Sequence, residues 1–425
     1  MSKLTGQFLI EDMTPAEIDR ARKVEAVLPA LREVAAEVDA RGEFHVPHVK
    51  TLSEAGLLGL IVPEAYGGLG GGLRDLCAAT FALGTACPST ALTFFFHCSS
   101  ASRGLLALEA LEEGLFTAEE APQVRAFAEQ VLTTMGSSGR WLANFASESE
   151  KSEKAAITIG TTATEVEGGY LLNGVKSFGC ATGVADRYLV TASLTGYDTA
   201  AGLCTFFVER DAEGVSEREH WDAIGMRGTA THGIILKDVF VAAQDALAIP
   251  AAFTRCMQMS RGSFVGNQVA GIAVYLGAAY TLYQYTIGQL RSKKFADSDK
   301  PVGTAPYQQE LIGKMMVELE TAAVWLRRQV ELESCDPPLL PKDEVVKRWR
   351  LCKGVVSEAA FSLATYCVKA AGTGGGTGNH GVPARSMRDL CMGLVQAFPA
   401  ERGRLMAAQM EIAGSEQAQF GTRQG

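Results

Sequence analysis

Apolar positions recur at helical spacing over two long reaches of the chain, and at strand-like alternation over the stretch between them. The first reach runs to about residue 143. Thr14-Pro15-Ala16-Glu17 supplies a helix cap, a proline at the first helical position and an acid in the first turn, and helical spacing covers residues 49–59 and 78–111. Beyond Gly139 the composition shifts to β-branched and aromatic residues, predicting strands within 158–164, 168–180, 186–194 and 203–209. Asn173-Gly174, flanked by apolar residues, predicts a type I′ turn between two antiparallel strands. Residues 222–241 combine a glycine-punctuated turn with alternation and predict a bent edge strand. Helical spacing returns after Phe253, most plainly from Leu311 to Val330, and again from about Glu344 to Lys369, where a run of glycines ends the helix. The fold class is α+β and multidomain: a helical unit over 1–143, an antiparallel β domain over 144–243 and a helical bundle over 244–425.

A chain of 425 residues, 47% of them hydrophobic, has enough apolar content to fill more than one core. The ten cysteines stand singly, with no CxxC pair and no metal-ligand spacing, which predicts a reduced, cytoplasmic setting and no structural zinc. The net charge of −9 and the absence of a basic run argue against a nucleic-acid surface, and the first residues lack the apolar run of a signal peptide. Between Arg261 and Arg291 no residue is formally charged; its asparagine, glutamines, tyrosines and glycines suit the centre of a bundle better than a membrane span.

Individual motifs carry less. The glycines after Pro63 lack the lysine and the strand–helix setting of a phosphate loop and read as a tight connection between helices. His97, beside Phe94-Phe95-Phe96, reads first as a hydrogen-bonded core residue and second as a pocket wall able to touch a substrate.

Four motifs in register give the chain a resemblance to the acyl-CoA dehydrogenase superfamily of flavoenzymes. They are the stretch from Gly56 to Gly68, Gly169-Tyr170-Leu171-Leu172-Asn173-Gly174-Val175-Lys176, Gly225-Met226-Arg227-Gly228-Thr229 continuing to Val241, and Pro383-Ala384-Arg385-Ser386-Met387-Arg388-Asp389. The resemblance implies the family's three-part architecture with a carboxyl-terminal four-helix bundle, a homotetramer, and FAD or the shorter FMN as cofactor. It places Asn144, Ala146 and Ser147 at the isoalloxazine edge and Phe178 and Cys180 beside the ring. Arg291, with Gly372, Gly374 and Gly375, would grip the cofactor's diphosphate across a subunit interface. Ser152 would meet the pantetheine arm of an acyl thioester and Arg261 its adenine end.

The reaction this implies is α,β-dehydrogenation of an acyl thioester, with hydride passing to flavin N5 and electrons leaving to a separate acceptor. Such a reaction needs a base for a weakly acidic α-proton, usually a glutamate in a dry pocket. The family's two positions for it fall here on Ala397 and Ser260; Glu401 is the nearest carboxylate to the first. Flavin monooxygenases on the same fold, which draw reduced flavin from a reductase, often carry a histidine where this chain has Gln396. The favoured reading is the dehydrogenase, with a two-component monooxygenase as the first alternative and a noncatalytic acyl-binding member as the second.

Overall fold

The computed structural model describes residues 3–150, 152–153, 155–262, 268–376, 378–379, 381–414 and 418–422. The first helix, α1 (Pro15–Arg41), starts as its sequence dictates. The Thr14 hydroxyl accepts from the Glu17 amide, and the Glu17 carboxylate accepts from the Thr14 amide at 2.7 Å. It is followed by α2 (Pro47–Glu54), α3 (Leu73–Ala86), α4 (Pro88–Glu112) and α5 (Ala121–Met135). The helical spacing over 78–111 belongs to two helices, because Pro88 cannot continue the hydrogen-bond ladder and Cys87 before it is extended, at φ −143°. The glycine loop before α3 is a tight connection: a Cβ on Gly68 would lie 2.1 Å from the Val62 carbonyl oxygen.

The β region comprises β1 (Leu142–Phe145), β2 (Ala155–Ile159), β3 (Thr162–Val166), β4 (Gly169–Lys176), β5 (Arg187–Leu194), β6 (Leu203–Glu209), β7 (Val215–Glu217), β8 (Ile234–Ala242) and β9 (Ala246–Leu247). One sheet runs β7-β8-β4-β3-β5-β6-β9, with β1 alongside β5 in parallel. β2 pairs instead with β10 (Ala418–Thr422).

The hairpin expected at Asn173-Gly174 is displaced. The chain reverses at Glu167-Gly168, with Gly168 at φ +80°, and Asn173-Gly174 continue β4 through an irregularity in its pairing with β8. Tertiary contacts account for the difference. Asn173 and Asp238 exchange two 2.9 Å bonds, side chain to side chain and amide to side chain. A Cβ at residue 174 would lie 2.4 Å from Thr161 Oγ1, so glycine answers a close approach rather than a turn. Nor is β8 a free edge, since β7 covers its first residues.

The carboxyl-terminal reach holds α6 (Ala252–Met257), α7 (Gln268–Ser292), α8 (Pro306–Ser334), α9 (Lys342–Gly376), α10 (Val382–Gly393) and α11 (Ala400–Ala413). The charge-free stretch supplies α7, which packs on α3, α4, α8, α9 and α10 and buries every residue from 269 to 279. α9 is long and apolar enough by composition to cross a membrane, but it packs against α7, α8, α10 and α11. It runs past the predicted end at Lys369 to Gly376, broken in path at Gly372, φ +65°.

The loop before β8 is held between the helical regions. Asp389 Oδ1 accepts the Met226 amide at 2.7 Å, Arg227 Nε donates to the Asp39 carbonyl at 2.9 Å, and Arg388 pairs with the Asp39 carboxylate. A Cβ on Gly225 would lie 2.0 Å from the Arg388 carbonyl oxygen, so this contact too demands glycine.

Candidate active site

The site grows from the end of β1. Past Phe145 the chain turns alongside the end of β4: Ser147 O accepts the Ser177 amide at 2.9 Å and Ala146 O lies 3.4 Å from Lys176 Nζ. Between them Glu148 acts as a clamp. Its carboxylate takes Lys176 Nζ at 2.6 Å, the amides of Gly160 and Thr161 at 2.7 and 3.0 Å, and the Thr161 hydroxyl at 2.7 Å. Burial pushes the Lys176 ammonium down to about 8, and Glu148 opposes that shift. Burial raises Glu148 in turn, but Lys176 and the two Thr161 hydrogen bonds together outweigh it, and the carboxyl sits below its ordinary value. Four acceptor contacts on one carboxylate fix the loop that carries Ala146 and Ser147.

Beyond Lys176 the chain presents Phe178, 51% exposed, with Trp221 edge-on at 5.9 Å. Cys180 is buried; its thiol, pushed up to about 12 by burial, lies 3.2 Å from the Thr231 hydroxyl, which meets Thr229 at 2.7 Å. Asn144, Ala146, Ser147, Phe178 and Cys180 thus fall in one neighbourhood.

His97 supports β1 from beneath. The Leu142 amide donates to Nδ1 at 2.9 Å, which leaves the proton on Nε2 to be donated to Leu58 O at 2.8 Å. The ring is fully buried against Trp141, and burial lowers its pKa to about 4. With both nitrogens engaged, His97 holds a strand and has no ring atom left for the substrate contact considered for it.

A residue that sequence reasoning passed over stands beside this strand. Arg103, on α4, is 4% exposed; Nη2 reaches Asn144 Oδ1 at 3.5 Å and the guanidinium lies over the Phe253 ring at 4.8 Å. The signal was present: Arg103 is the only lysine, arginine, aspartate or glutamate between Asp75 and Glu109.

Comparison with known proteins gives the chain's family. Residues 21–113 match the acyl-CoA dehydrogenase N-terminal domain, and residues 143–239 the acyl-CoA dehydrogenase middle domain. The chain belongs to the acyl-CoA dehydrogenase superfamily. It is 26% identical over 353 residues to the putative acyl-CoA dehydrogenase YdbM of Bacillus subtilis, covering 82% of this chain and 85% of that protein. It is 27% identical over 282 residues to the L-evernosamine nitrososynthase of a Micromonospora species, covering 65% and 62%. In fold it superposes on KijD3, solved with FMN and a dTDP-linked amino keto sugar, at a TM-score of 0.79, 22% identity and 98% coverage of each chain.

Within the acyl-CoA dehydrogenase fold the remaining residues are spread out. Ser152 accepts the Ala155 amide at 3.2 Å in the loop before β2. Arg261 is exposed and borders, with Ser260, Glu109 and Glu333, a cleft of about 410 Å³. Arg291 is exposed at the end of α7, and Gly372 and Gly374 face open space on α9, as Gly375 nearly does. Glu401 requires correction as a candidate base: it sits in the first turn of α11, its side chain 76% exposed and paired with Arg404 at 3.1 Å, so water rather than a dry pocket surrounds it. Ala397 is exposed, at φ +65°. The residues around Phe178 fit a flavin: a large aromatic face left open at the rim of a sheet, next to a thiol and hydroxyls able to meet a polar ring edge.

Proposed function

We propose that this chain is a flavin-dependent oxidoreductase that uses reduced flavin and dioxygen to oxygenate a small-molecule substrate. The observation that carries this reading is the state of the carboxylates. The family's base positions hold Ala397 and Ser260, Glu401 is solvated, and Glu148 and Asp389 are engaged with Lys176 and the Met226 amide; Glu109 and Glu333 wall the cleft that Arg261 borders and occupy neither family position. Neither family position offers a carboxylate for abstraction of an α-proton, whereas oxygenation needs none. In net terms, substrate, dioxygen and reduced flavin give oxygenated substrate, water and oxidised flavin, with the two electrons supplied by a separate flavin reductase.

The flavin supplies the two-electron chemistry when bound. The chain's own part is to hold and shield it. Phe178 forms an apolar wall, the Cys180–Thr231 pair offers donors, and the Ala146–Ser147 backbone, pinned through Glu148 and Lys176, meets the ring edge. The cofactor in this reading is FAD, with FMN the alternative. Exposed Arg291 and the open glycines Gly372, Gly374 and Gly375 suit contact with a neighbour's diphosphate in a homotetramer. Dehydrogenation of an acyl thioester is the second reading, favoured by Arg261 at the cleft, where an anionic nucleotide would find a cation.

The discriminating experiment is anaerobic. Flavin-loaded protein is mixed with a panel of acyl-CoA thioesters and the flavin absorbance followed. Unchanged absorbance, together with reductase-dependent oxygen uptake that yields a product one oxygen atom heavier, is expected. Bleaching by a thioester would overturn the oxygenase in favour of the dehydrogenase.

A further inference from the structure

Arg103 is a buried cation without a counter-ion. Its Nε and Nη1 have no hydrogen-bond partner, and its one polar contact is the long Nη2 approach to Asn144 Oδ1. Burial lowers its pKa to about 10, and no carboxylate opposes the shift. A guanidinium carries five N–H donors, and leaving most of them unpaired away from water is costly. Stacking on Phe253 offsets only part of that cost.

Its surroundings indicate what would complete it. Ser102, Leu105, Leu106 and Glu109 of the same helix wall the cleft that Arg261 borders; Arg103 neighbours them in the chain and is not itself among the residues lining that cleft. On its other side Asn144 belongs to the strand leading into the flavin-facing loop. Its other companions, Phe253 and Cys256, come from α6 and not from the sheet segment carrying Phe178 and Cys180.

We infer that Arg103 binds a carboxylate of the substrate, so that the substrate class is a small organic acid whose apolar body lies against Phe253. The inference takes the position of the flavin from the proposed function and is independent of which reaction follows. An arginine meets a carboxylate with charge-assisted hydrogen bonds, and the neutral amide of the same shape loses that charge.

The test is equilibrium binding to the full-length, flavin-loaded protein by calorimetry, with matched acid and amide probes: benzoate against benzamide, and hexanoate against hexanamide. At least one acid is expected to bind tenfold or more tightly than its amide, R103Q to abolish the difference, and R103K to keep part of it, with FMN and FAD affinity of R103Q within about twofold of wild type. No acid preference in either pair overturns the inference. So does a preference that survives in R103Q, or a tenfold loss of flavin affinity in R103Q with acid binding unchanged, which would assign the guanidinium to the cofactor. Where R103Q fails to fold, R103K carries the comparison: an acid preference that it leaves undiminished overturns the inference. Acid preference without oxygen uptake would retain the role of Arg103 and sink the oxygenase reading; the converse would do the reverse.

Discussion

At the scale of single residues, buried polar groups here are identified by their partners rather than by their type. His97 looks like a chemical group in the sequence and is a beam in the structure: its two nitrogens join Leu58 to Leu142. The consequence is a pH dependence with a definite sign. The unfolded chain protonates this ring near its ordinary value of 6.5 and the native protein only near 4, so the stabilisation is complete above pH 6.5 and is lost as the pH falls from there to 4. The loss amounts to ~3 kcal/mol. His48, also lowered to about 4 by burial, adds in the same direction. Urea midpoints measured across that range are expected to fall steeply in wild type. H97Q should start less stable by about 1–3 kcal/mol, and its midpoints should fall less steeply; an unchanged slope would place the acid sensitivity elsewhere. Phe178 is the matching prediction for the cofactor: F178A is expected to weaken flavin binding by about tenfold or more, the value of an aromatic face removed from water. Fluorescence titration yielding wild-type affinity would reject this placement of the ring.

At the scale of elements, the start of α1 and the strands β5 and β6 follow their local sequence closely, whereas the turn expected at Asn173-Gly174 does not. Thr14, Pro15 and Glu17 specify the start of α1 because a cap is made by neighbours in the chain. Asn173-Gly174 is as strong a local turn signal as exists, yet a strand passes through it, since Asp238 takes the asparagine and Thr161 occupies the space beside the glycine. Two glycines of β4 and its turn therefore differ in cost. G174A places a Cβ 2.4 Å from Thr161 Oγ1 and is expected to destabilise by about 1–3 kcal/mol, as overpacking does. Gly168 has nothing near its Cβ position and only its φ of +80° to lose, so G168A should cost about 1 kcal/mol. Thermal midpoints in the reverse order would return the turn to Asn173-Gly174.

At the scale of the whole molecule, the Arg388-Asp389 pair that marks the family by sequence serves to hold the loop before β8 against α1 and α10. Asp389 accomplishes this as an acceptor. Burial raises its pKa to about 7, Asp39 adds to the rise, and the Met226 amide opposes it. A raised carboxyl favours the native state while protonated, so its contribution is full below about 3.8 and declines as the pH rises to 7. D389N keeps the oxygen and discards the ionisation; at pH 8 it is expected to be at least as stable as wild type by calorimetry. D389A leaves the Met226 amide unpaired and should cost about 1–3 kcal/mol. Equal loss in both variants would make the charge, not the acceptor, the essential feature.

The sequence by itself determined the helical, β and helical order of the molecule, the cap of its first helix, the placement of the charge-free helix at a bundle centre and the family, because periodicity, capping and motif register are properties of neighbouring residues. It also exposed the missing base, since Ala397 and Ser260 are read directly from their positions. Tertiary structure decided which residues meet. Thr161 beside Gly174, His97 beneath Leu142, Glu148 around Lys176 and Arg103 next to Asn144 are contacts between segments far apart in the chain. The cost of burying a charge or a methyl group at such a contact depends on the partner present there, and no local pattern carries that information.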